Sequence, residues 1–106
     1  MEDKPSTYRL PPQELWAHVS KLSITDDKPI MLDYWIDSLQ KNVLIGIKKD
    51  TGEKLLVKNA EEYTSPISKI YKIADKENKA NDSYIICTEN SIYIVSADIP
   101  TKHINA

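Results

Sequence analysis

Tyr84-Ile85-Ile86-Cys87-Thr88-Glu89-Asn90-Ser91-Ile92-Tyr93-Ile94-Val95-Ser96 is the stretch that decides the fold of this chain. Two apolar runs, Tyr84 to Thr88 and Ser91 to Ser96, flank the polar pair Glu89-Asn90. β-branched and aromatic side chains dominate both runs, which favours strands. The connection is short enough for a hairpin, and Asn tolerates the left-handed backbone that tight hairpin turns use. Neither run alternates strictly between apolar and polar. A strand that is apolar at successive positions has both faces covered, so this hairpin is expected at the centre of the domain.

Working outward, Val43 to Lys48 and Glu53 to Lys58 form another hairpin around Asp50-Thr51-Gly52. Gly52 supplies the positive φ of such a turn. Tyr63 to Ile73 reads as a strand interrupted at Ser65-Pro66, because Pro cannot donate to a sheet ladder and marks an edge, a bulge or a bend. Ile67, Tyr71 and Ile73 are expected on one face of it, and Ala74 to Asp82 on the surface. Upstream, Pro11-Pro12 opens a helix over 12–23. Leu15, Val19 and Leu22 make one apolar stripe with Trp16 beside it. Residues 30–39 fit two patterns: Leu32, Trp35, Ile36 and Leu39 follow a helical face, whereas Ile30, Leu32, Tyr34 and Ile36 alternate. Their aromatic and β-branched content favours a strand over 30–37. Residues 1–10 read as a flexible arm, 11–97 as one globular domain and 98–106 as a tail broken by Pro100. The expected fold is α+β: an N-terminal helix, then a small antiparallel, strongly curved sheet or partly closed barrel of about six strands.

Composition narrows the function. The 106 residues are one domain's worth, with 41% apolar residues and no Phe. The net charge of −2 comes from 14 basic and 16 acidic residues mixed along the chain, and Arg9 is the single arginine. Duplex-DNA binders carry a strongly basic face and use Arg to read phosphates and guanines, so that class is disfavoured. One cysteine, Cys87, cannot form an internal disulfide, which fits a reducing, cytoplasmic setting. The longest apolar runs are about five residues, too short to span a membrane. Met1-Glu2-Asp3-Lys4 lacks the apolar stretch of a signal peptide.

Residues that carry chemistry are scarce. Asp50-Thr51-Gly52 is the tripeptide of aspartic proteases, but Lys48-Lys49 before it and Glu53-Lys54 after it do not resemble that family, and the tripeptide suits a turn. Asp33 and Asp37 share a face in either reading of 30–39, without an identifiable third ligand. His18, His103 and Cys87 are too scattered for a zinc site. Cys87 sits mid-strand as a small core hydrophobe. No nucleophile, base and orienting group can be assembled, so neither enzymatic activity nor a cofactor is expected. Trp16, Trp35 and Tyr63 are the natural anchors for a protein partner or a second copy. A second reading uses Lys69, Tyr71, Lys72 and Tyr84, on neighbouring strands, as a single-strand nucleic-acid face: aromatics stack bases and Lys neutralises phosphates.

Leu-Asp-Tyr-Trp (32–35), Val-Leu-Ile-Gly (43–46), Glu-Tyr-Thr-Ser-Pro-Ile (62–67) and Glu-Asn-Ser-Ile-Tyr (89–93) together resemble small uncharacterised proteins of large nucleocytoplasmic DNA viruses. The resemblance spans residues 29–96. It implies a virion component or a factor of the infected cytoplasm, and it transfers no functional residues. The sequence thus points to a non-enzymatic protein-interaction or structural module.

Overall fold

A computed structural model describes residue 11 and residues 13–59, 61–75 and 82–104. The arm expected over 1–10 lies outside them. In chain order the elements are α1 (Gln13–Asp26), β1 (Ile30–Met31), α2 (Trp35–Leu39), β2 (Leu44–Lys48), β3 (Lys54–Asn59), β4 (Glu62–Tyr63), β5 (Ile67–Ile73), β6 (Ser83–Thr88), β7 (Ile92–Ser96) and β8 (Thr101–Ile104). They make two four-stranded sheets, ordered β1-β7-β6-β5 and β4-β3-β2-β8. The fold is α+β, as expected. Among the described residues, the single curved sheet or barrel of about six strands is replaced by two mixed sheets of four strands each, without closure into a barrel.

The first sheet is a middle layer. Register alternates its side chains between two cores. Ile85, Cys87, Ile92 and Ile94 pack with Leu15, Val19 and Trp35 from the helices. Ile86 and Val95 pack with Ile45 and Leu56 of the second sheet, and with Val43 and Tyr34. This is why the β6–β7 hairpin is apolar at nearly every position. Its turn is built differently from the expectation: Asn90 keeps a negative φ. The Thr88 hydroxyl accepts the amides of Asn90 and Ser91 at 3.3 and 3.1 Å and so closes the turn.

Residues 30–37 are not one strand. Only Ile30 and Met31 pair, parallel to β7, before a turn leads into α2. The helical periodicity wins because Trp35, Ile36 and Leu39 all reach the first core. Ser38 fixes α2 to the sheet. Its buried hydroxyl donates to the Trp35 carbonyl at 2.6 Å and accepts the Ser96 amide at 2.9 Å. Lys41 at φ 62° then ends the helix, with the Asn42 amide bonded to the Asp37 carbonyl and the Lys41 amide to that of Ser38.

The segment expected as a tail contributes β8, which runs parallel to β2. The all-antiparallel expectation fails at β1–β7 and β2–β8, whose partners are far apart in sequence and need no hairpin. Gly46 makes room for β8. A Cβ there would lie 2.7 Å from Cδ1 of Ile104 and 3.1 Å from Cγ2 of Val57. Gly46→Val is therefore expected to cost about 1–3 kcal/mol by overpacking, read as a lower urea midpoint with loss of amide protection in β8.

Candidate functional site

The chain from Glu62 to Ile73 forms one open rim. β4 is the edge strand of the second sheet and β5 the edge strand of the first, and residues 64–66 carry the chain from one to the other. Pro66 therefore marks a bend between sheets. Thr64 holds the corner: its amide donates to the Leu56 carbonyl at 3.0 Å, and its hydroxyl accepts the Leu56 amide at 3.1 Å. A bulge follows, because register slips between Ile67 and Lys69. It turns Ile67 into the core between the sheets, whereas Ile73 faces the helices. The single face expected for Ile67, Tyr71 and Ile73 is broken there.

Five large apolar side chains are exposed among the described residues, and Tyr63, Ile70 and Tyr71 of this rim are three of them. Tyr63 is 57% exposed and stands over a cavity of about 380 Å³ lined also by Lys48, Leu55, Thr64, Ser65 and Pro66. Leu55 is its apolar floor.

The other anchors read from the sequence are placed differently. Trp35 is 4% exposed, inside the first core, and is not available at the surface. Trp16 is half-buried against the same core. The nucleic-acid candidates do not share a face. Lys69 and Tyr71 stand opposite Cys87 and Ile85 on the helix side. Lys72 stands opposite Tyr84 on the other side, where Tyr84 is half-buried on the core between the sheets. Lys72 also meets Asp82 at 3.8 Å. Strand alternation, legible in principle, separates 69 and 71 from 72. The exposure of Ile70 was missed because an isoleucine in a strand ordinarily reads as core.

Asp50 lies in an exposed turn closed by Gly52 at φ 80°. Asp33 and Asp37 bracket Lys58, whose Nζ reaches the Asp37 carboxylate at 3.4 Å, the Asp33 carbonyl at 3.2 Å and the face of Tyr34 at 4.6 Å. That pair clamps α2 to β3. His18 is exposed on α1 and His103 on β8. Among the described residues, no three His, Cys, Asp or Glu side chains gather as metal ligands. Burial pushes the Cys87 thiol up, away from the thiolate a nucleophile needs.

No protein-family model, curated protein or solved structure matches the chain.

Burial, followed by the neighbouring Tyr93, Asp33 and Glu62, raises Tyr34 to about 12 from its ordinary 10.0. Its neutral form is thus favoured in the folded state. The stability this represents is full below pH 10, where both states hold the proton, and is lost between pH 10 and about 12 as the unfolded chain ionises first. Urea midpoints are expected to fall across that window, and Tyr34→Phe to flatten the fall.

Proposed function

We propose that this chain is a non-enzymatic protein-interaction and structural module, and that its copies assemble through the rim Glu62–Ile73. Three of the five large apolar side chains exposed among the described residues, Tyr63, Ile70 and Tyr71, lie on the two edge strands β4 and β5, and this carries the reading. Exposed aromatics over an apolar floor are what protein contacts use as anchors. An unpaired strand edge beside them offers main-chain hydrogen bonds to another chain. The division of Lys69, Tyr71, Lys72 and Tyr84 between two faces weighs against a stacking platform for single strands. A viral assembly, in the virion or the infected cytoplasm, is the setting that accompanies the resemblance over residues 29–96.

Size-exclusion chromatography with light scattering tests this, run alone and with a single-stranded oligonucleotide at two salt concentrations. The expected result is a mass above 12.1 kDa that rises with protein concentration and ignores the oligonucleotide. A monomer at every concentration overturns the proposal. If that monomer shifts with oligonucleotide only at low salt, the single-strand reading takes its place.

A further inference from the structure

We infer that two copies of this chain join edge to edge through β5, antiparallel and centred on Tyr71. The inference rests on the assembly reading above and names its contact. Main-chain hydrogen bonding fixes which groups are available. The Thr88 amide bonds across the turn to the Ser91 carbonyl, so Thr88, and with it Ile86 and Tyr84, turn their main-chain groups toward β7. Cys87, Ile85 and Ser83 turn theirs toward β5, and the Cys87 carbonyl accepts the Ser68 hydroxyl at 3.0 Å from that side. Their partners Lys69, Tyr71 and Ile73 are therefore the residues bonded to β6. Ile70 and Lys72 point N–H and C=O outward. Among the described residues nothing pairs with that edge.

A second β5 must match outward groups with outward groups, so residues 70 and 72 pair only with outward-facing residues and never with 69, 71 or 73. Lys69 then never opposes Lys72. Centring on Lys69 or on Lys72 sets like charges face to face, which is unfavourable. Centring on Ile70 runs each strand into the other's bulge at Ser68. Centring on Tyr71 pairs the regular stretch Lys69–Ile73 with itself. Ile70 meets Lys72 of the partner subunit through two hydrogen bonds, and the symmetric pair adds two more. Tyr71 meets Tyr71 of the partner subunit at a non-hydrogen-bonded position, where opposed side chains come closest.

The surroundings complement this register. Lys69 of the partner subunit comes opposite Ile73, on the helix side. A cavity of about 520 Å³ lies there, lined by Glu14, Ala17 and His18 of α1 with Lys72, Ile73 and Ala74. Glu14 contributes an acidic side chain to the wall of that cavity. The lysines at 69 and 72 thus act as filters on this edge: they disfavour the wrong registers and fit one.

The test is disulfide trapping in the full chain under oxidised glutathione. Cys87 is buried and is the only native cysteine, so it provides little background. Tyr71→Cys is expected to form a covalent dimer at least roughly tenfold faster than Lys69→Cys. In this register the two Lys69 positions are about 13 Å apart along the strands, beyond disulfide reach. Mixing Lys69→Cys with Ile73→Cys is expected to give the heterodimer. Ile70→Pro removes an outward N–H without touching the β6 ladder, and is expected to return the mass to 12.1 kDa with circular dichroism unchanged. If Ile70→Pro does not fold, the cysteine pair decides alone. A wild-type mass above monomer with Tyr71→Cys no faster than Lys69→Cys overturns the β5 pairing and leaves assembly by another surface. A monomer at every concentration overturns both.

Discussion

Trp35→Ala is expected to lower the unfolding free energy by about 3–5 kcal/mol, the cost of removing a large aromatic from a closed core. Small domains hold only about 5–15 kcal/mol in total, so the variant sits near the limit of folding. The size follows from position. Trp35 is 4% exposed and packs against Leu15, Val19, Ile85 and Ile94, where helix and sheet layers meet. Its main-chain carbonyl, which alanine keeps, accepts the Ser38 hydroxyl that anchors α2 to β7, so the loss is that of the side chain alone. Urea unfolding checks this. An unchanged midpoint accompanied by weakened assembly would instead make Trp35 a surface contact, the role its residue type suggested from the sequence.

Ile85→Ala and Ile86→Ala are each expected to cost about 2–5 kcal/mol. The pair matters because the residues are adjacent and point to opposite faces. Ile85 faces the helices and Ile86 the second sheet, and both have 0% exposure. In a sheet with one wet face, one of the two would be nearly neutral. Matching losses in urea midpoint would establish the first sheet as the middle layer. A loss at one position with little change at the other contradicts that layering.

How much of this was legible in the sequence varies with the interaction involved. Local signals were enough for α1 and for both hairpins. Leu15, Val19 and Leu22 mark a helical stripe, and Gly52 takes the positive φ its turn needs. The continuous apolar character of Tyr84–Ser96 correctly placed β6 and β7 centrally. Tertiary contacts decided the rest. Residues 30–39 satisfy both periodicities, and the choice falls to α2 because Trp35, Ile36 and Leu39 find the core while Ser38 finds Ser96. β8 has four residues with mostly exposed side chains, and only the neighbouring β2 makes it a strand. The division into two sheets hangs on one bend at residues 64–66 and one bulge near Ser68, each of which leaves a weak mark in sequence. Tyr63 was legible by type as a contact and Lys69, Tyr71, Lys72 and Tyr84 as an alternative face, but neither the exposure of that face nor the register that pairs Lys72 with Tyr84 and sets Lys69 and Tyr71 on the opposite side was visible.

The most direct test of assembly through the rim is amide hydrogen exchange of β5 followed residue by residue as the protein is concentrated. The Ile70 and Lys72 amides point away from β6, so in a lone chain they exchange with solvent, while those of Lys69, Tyr71 and Ile73 are already held in the ladder. Protection that grows at Ile70 and Lys72 with concentration, and is constant at their neighbours, is the predicted result. Fast exchange at both amides at every concentration would contradict it.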